Sequence, residues 1–185
     1  MGVKAVLMSI QPKWCELIAS GKKTVEVRKN KPKLATPFKV YIYQTLHREN
    51  NGRTYSDGKV IGEFVCDKIY AIRYSCGSYR CEGLTRHEND RVASASQLSL
   101  YDMRNYLSCN GGYGWNITDL VIYEKPKQLS EFYVYCGDNP KCDGCEAHYF
   151  SNTECGKEDY CCSIIDGCRP LKRPPQSWCY AVKGE

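Results

Sequence analysis

The sequence predicts an α+β fold in which short strands and helices share one core, interrupted by a small insertion that needs a metal staple. Three observations lead there. Apolar positions alternate with period two over several short runs, broken once near the start by a helical stripe. Hydrophobic residues make up 42% and charged residues 25% of the 185, the balance of a globular chain that suffices for one well-buried domain and not for two. Between residues 136 and 168 the apolar periodicity disappears, and seven of the thirteen cysteines lie there. The expected layout is a domain made of residues 1–135 and 169–185, with 136–168 inserted into it.

Val3 to Ser9 is an apolar run that reads as a strand. Pro12 then suits a first helical position, and Trp14, Leu17 and Ile18 form an i, i+3, i+4 stripe. Gly21 is a helix stop. From Lys23 to Lys29 the polar residues Thr24, Glu26 and Arg28 alternate with Val25 and Val27, so a strand would turn the valines inward and the polar three to one face. Phe38 to Gln44 alternates again and carries Tyr41 and Tyr43 on one side. The β-branched run Lys59 to Ile72 predicts the longest strand. Arg73 to Ser94 is polar and reads as irregular, Gln97 to Leu107 as a helix, and Asn110 to Gly114 as a flexible turn. Trp115 to Tyr123 and Ser177 to Lys183 supply the last strands.

A net charge of +5 permits contact with polyanions without requiring it. Fifteen tyrosines against four phenylalanines favour rings that keep a wet hydroxyl. No apolar run approaches the roughly 18 residues a membrane span needs. With no leader segment in view, the expectation is a cytoplasmic chain without a membrane partner.

Cys142 and Cys145 have the spacing of a metal knuckle, with Asp143-Gly144 as the turn between them, and Cys161 and Cys168 can close the other half of a tetrahedral Zn²⁺ site. Cys136, Cys155, Cys162 and His148 are alternates. A disulfide-stapled loop, an iron-sulfur cluster and a redox pair would use the same thiols, but a reducing compartment disfavours the first, and no strand precedes Cys142 to start a thioredoxin-like unit. A structural zinc closed by thiolates performs no chemistry of its own. Cys15, Cys66, Cys109 and Cys179 read as small buried hydrophobes, while Cys76 and Cys81 are either a further metal pair or nothing.

Gly21-x-Lys23-x-x-Glu26-x-Arg28 brings three charges of mixed sign to one helix-to-strand corner. The plain alternative is a surface ion pair of Glu26 and Arg28 beside a solvated Lys23, which is nearly neutral in energy. The chain offers no Walker loop, no nucleophile elbow and no HExxH, and its three histidines have no obvious catalytic partner.

Residues Ser9 to Lys29 resemble the opening of an ASCH domain, whose signature GxKxxExR directly follows the first helix, and every fixed position is present. The resemblance continues in Lys39–Thr45, Gly58–Phe64, Trp115–Ile117 with Pro126, Leu129 and Phe132, and Arg173–Tyr180, and it is to the versions found in bacteria and their phages. It implies a PUA-like mixed β-barrel with flanking helices and a cleft around the signature. Members are inferred to bind RNA or nucleotides, and a few are hydrolases. On that footing Lys23 and Arg28 would pair with phosphate, Glu26 would accept from a base, Thr24 would face the same way, and Tyr43 or Trp115 would stack. If the chain were an enzyme, Lys23 and Glu26 would be the catalytic residues. The family's nucleoside amidohydrolases carry a Thr where this chain has Glu26, and no trustworthy match for their Glu stands among Glu82, Glu88 and Asp102, so that mechanism does not transfer. A ribonuclease would use Glu26 as general base or metal ligand. The leading expectation is an RNA- or nucleotide-binding module. A hydrolase in the same cleft comes next, then an adaptor that meets a protein partner through its zinc-stabilised insertion.

Overall fold

The computed structural model describes residues 5–48, 54–56, 58–134 and 169–183. The zinc expectation at Cys136, Cys142, Cys145, His148, Cys155, Cys161, Cys162 and Cys168 falls outside the described residues. No described helix is long and apolar enough to cross a membrane.

Strand β1 (Ala5–Ile10) is apolar enough to be buried along its whole length, and it occupies the middle of a seven-stranded sheet. It pairs parallel with β3 (Phe38–Gln44) and antiparallel with β13 (Trp178–Lys183). Beyond β3 lie β6 (Lys59–Cys66) and β10 (Thr118–Lys127); beyond β13 lie β11 (Phe132–Val134) and β12 (Arg169–Pro170). Residues of β1 and β3 alternate between the two faces of this sheet, and a register shift in the pairing of β3 with β6 puts Val60 and Phe64 on opposite faces. Val6, Met8, Val40, Ile42 and Phe64 form one core cluster with helix α1 (Pro12–Ala19), while Leu7, Tyr41, Tyr43, Val60 and Phe132 form another.

A second sheet has the order β2 (Val25–Arg28), β9 (Gly112–Asn116), β7 (Ile69–Ser75), β8 (Ser78–Cys81). Helices α2 (Arg86–Ser96) and α3 (Leu100–Leu107) cover it through Val27, Ile72, Cys81 and Leu107. A short pair, β4 (His47–Arg48) and β5 (Thr54–Ser56), stands apart. The expected mixed β-barrel is, among the described residues, two sheets that do not close into a barrel, because each keeps two unpaired edges.

The single long strand expected at Lys59 to Ile72 is two. The exposed pair Asp67-Lys68 lets the chain leave the first sheet after Cys66 and enter the second at Ile69. Trp115 to Tyr123 divides in the same way at Ile117. The two crossings are pinned together: the Asn116 side-chain amide donates to Asp67 at 2.9 Å and its backbone N–H to the Lys68 carbonyl at 2.9 Å. The stretch read as irregular contains β8 and α2. Helix α2 starts at Thr85, whose hydroxyl accepts from the Glu88 N–H while the Glu88 carboxylate accepts from Thr85, a capping box. Ser99 and Asp102 do the same for α3, so Gln97, at φ 55°, belongs to the end of α2 and not to the start of α3.

Candidate functional site

The corner between α1 and β2 is built by the backbone. After Ala19 the chain turns at Gly21, whose φ of 71° favours glycine, and the Lys23 N–H donates back to the Leu17 carbonyl at 2.9 Å. This holds Lys23 beside the helix end. Glu26 and Arg28 follow on β2, opposite Trp115 and Tyr113 of β9.

The three charges meet, and they are buried: Lys23 is 1% exposed, Glu26 and Arg28 6% each. Glu26 is shared, with one carboxylate oxygen 3.2 Å from Lys23 Nζ and the other 2.9 Å from Arg28 Nη2. Lys23 also donates to the Ser96 carbonyl at 2.6 Å, which ties the cluster to the end of α2. Arg28 Nη2 donates to the Ser9 carbonyl at 2.7 Å, and Nη1 reaches the Ser177 hydroxyl at 3.4 Å, so the guanidinium bridges the two sheets. The surface ion pair is thus replaced by a desolvated triad. Among the described residues the buried Arg28 Nε–H has no acceptor.

Burial draws the Lys23 ammonium below the usual lysine range; the Glu26 carboxylate opposes that shift and the Arg28 charge adds to it. An unfolded lysine keeps its ordinary value of 10.5, so between the lowered folded value and 10.5 the unfolded chain binds the extra proton and stability rises with pH. The melting temperature of the wild type should therefore gain on that of Lys23→Met as pH is raised through this interval, measured by paired thermal melts. A difference that stays flat or shrinks would mean the fold stabilises the ammonium instead of straining it.

The triad faces a pocket of about 510 Å³ whose other walls include Ile10, Lys13, Trp14, Asn105 and Tyr106. Trp14 has Lys13 Nζ 4.3 Å and Lys23 Nζ 5.2 Å from its ring centre, and Lys29 Nζ lies 5.4 Å from that of Tyr106. Asp102 lines the pocket as well, but it is committed to Ser99, whose hydroxyl and N–H hold its carboxyl below the usual carboxylate range. The chemistry on offer is a mixed-sign hydrogen-bonding floor between aromatic walls. Among the described residues no group of three or more His, Cys, Asp or Glu side chains could hold a metal ion.

Other candidates lie elsewhere. Thr24 does not share the Glu26 face: it precedes β2, exchanges backbone hydrogen bonds with Ala95 and Ile117, and lines a separate groove with Lys68 and Tyr70. Tyr43 is buried in the second core cluster, and Trp115 is fully buried against Phe38, with ring centres 5.5 Å apart. Neither ring lines the triad's pocket. The aromatic residues that do, Trp14 and Tyr106, were read from sequence as a helix-stripe residue and an unremarked helix position. The available signal was Trp14 standing next to Lys13 at the start of the helix that ends in the signature glycine.

Among the described cysteines, Cys15 and Cys66 are buried thiols, which burial pushes up to about 12. Cys179 is half-buried. Cys109 is exposed and not a buried hydrophobe, since it follows the end of α3 in a left-handed turn at φ 59°. Cys76 is exposed while Cys81 is buried.

Residues 8–101, just over half of the chain, match the model of the ASCH domain family. The crystal structure of ASCH from Zymomonas mobilis superposes with a TM-score of 0.54 at 18% identity, covering 95% of this chain and 86% of that one. A serine-to-alanine mutant of the same Zymomonas mobilis protein gives 0.53 at 18% identity, with 95% and 87% covered. At that identity the likeness is one of fold. No curated protein matches the chain.

Proposed function

We propose, because this chain belongs to the ASCH domain family and carries the triad beside an aromatic-walled pocket, that it binds single-stranded RNA by taking one base into that pocket. The observation that carries the reading is the pocket lining itself, which sets Lys23, Glu26 and Arg28 beside Trp14 and Tyr106, so that charged hydrogen-bonding groups and stacking faces meet in one place. Trp14 would stack on that base, and Glu26, already shared by two cations, would orient them and not attack.

Binding is favoured over hydrolysis by the carboxylates. Glu26 has a cation on each oxygen and Asp102 is held by its helix cap, so neither stands ready to activate water. Base-to-aromatic stacking is worth about 1–3 kcal/mol, so Trp14→Ala should weaken the binding of a random-sequence single-stranded RNA about 10-fold or more, measured below the melting temperature, which the loss of its packing on the main core cluster lowers as well. The RNA should be recovered intact. Unchanged affinity in Trp14→Ala would remove the stacking role, and shortened RNA would replace the reading with a hydrolase.

A further inference from the structure

We infer that the segment Lys29–Lys33 is a second subsite, a track on which the backbone of a single-stranded RNA lies as it leaves the pocket. This rests on the pocket taking one base, and it specifies that the ligand is a strand and not a free nucleotide. From Lys29 to Lys39 the sequence holds four lysines and no carboxylate. Three of them, Lys29, Lys31 and Lys33, alternate and are exposed, and none makes an ion pair with a carboxylate among the described residues.

Each of the three stands at a tyrosine. Lys29 Nζ lies 5.4 Å from the ring centre of Tyr106, itself a wall of the pocket, and Lys31 Nζ lies 5.5 Å from that of Tyr113. The Lys33 N–H donates to the Tyr180 hydroxyl at 2.8 Å. Cation and ring are therefore paired at Lys29 and Lys31, the first of them at a wall of the pocket, and this is the combination that holds phosphate and base in sequence-tolerant recognition of single strands. Alternate residues stand at most about 7 Å apart along the backbone, so neighbouring lysines can serve neighbouring phosphates.

The segment is also held in place. Pro32, between two of the lysines, is buried; Leu34 packs against the main core cluster; and Tyr180 anchors the Lys33 backbone. A track fixed before binding spends little ordering entropy when the strand arrives. Among the described residues the charge has no carboxylate partner, and a polyanion supplies one.

The test uses the full chain and the triple variant Lys29→Ser, Lys31→Ser, Lys33→Ser, all exposed positions, with two probes: a random-sequence RNA of about ten nucleotides, and the four ribonucleoside monophosphates. The wild type should bind the oligomer at least about 10-fold more tightly than the monophosphates. The triple variant should lose that advantage, with the slope of log Kd against log salt falling by about 2, since each phosphate contact on a single strand contributes about 0.7. The double variant Lys31→Ser, Lys33→Ser, which leaves the Tyr106 wall untouched, should keep the wild-type affinity for the monophosphates. If the triple variant binds the oligomer with wild-type affinity and slope, the track is overturned and the pocket stands. If the wild type binds neither probe, both are overturned.

Discussion

Replacing Glu26 by alanine should lower the stability of the fold by about 3–5 kcal/mol, because it strands two buried cations on one missing carboxylate. For a domain of this size that is a drop of about 10 °C or more in melting temperature. Glu26→Gln keeps the shape and an acceptor oxygen but still leaves the cations without countercharge, so most of the loss should remain. The pair Lys39–Glu63 is a built-in contrast, since its lysine side chain is 44% exposed and Lys39→Ala should cost only about 0–1 kcal/mol. Urea unfolding of the three variants decides the matter. A cost at Glu26 no larger than at Lys39 would mean that water reaches the triad.

The second large effect is at Trp115. Truncation to alanine should cost about 3–5 kcal/mol, since it empties a fully buried position packed against Phe38 and Trp178. Trp115→Phe should cost far less, about 1–2 kcal/mol, because the indole N–H has no acceptor to lose. RNA affinity should be unchanged in the phenylalanine variant. A loss of binding there without a loss of stability would return Trp115 to the ligand and contradict its place in the core.

What could be read in the sequence follows from how local each signal is. Phe38 to Gln44 alternates cleanly, has one face in each of two cores, and forms the strand its pattern predicts. The α1 stripe and the glycine stop are equally local. The break at Asp67-Lys68 is not, because two charged residues in a β-branched run look the same whether the strand continues or changes sheets. Helix α2 was missed for want of an apolar face: Ser96 is its one buried residue. Thr85-x-x-Glu88 marked its start nonetheless.

The candidate site divides in the same way. Lys23, Glu26 and Arg28 were visible as a spacing, but their burial depends on Ser9, Ser96 and Ser177, which arrive from three distant places in the chain. The burial of Tyr43 and Trp115 is not legible in their own segments, because the partners that enclose them come from elsewhere in the chain. Trp14 packs against the main core cluster and lines the pocket as well, and one turn of an amphipathic helix cannot say which part of its stripe stays open.

The stretch that matches the family ends at Tyr101, yet β9 begins at Gly112 and lies between β2 and β7. A fragment cut at that boundary would leave the signature strand with no hydrogen-bonded neighbour, and β1 would lose β13. The recognisable portion is therefore not an autonomous unit. Any excised version meant to keep the pocket must carry the distal strands with it, even though those strands contribute no residue to its walls.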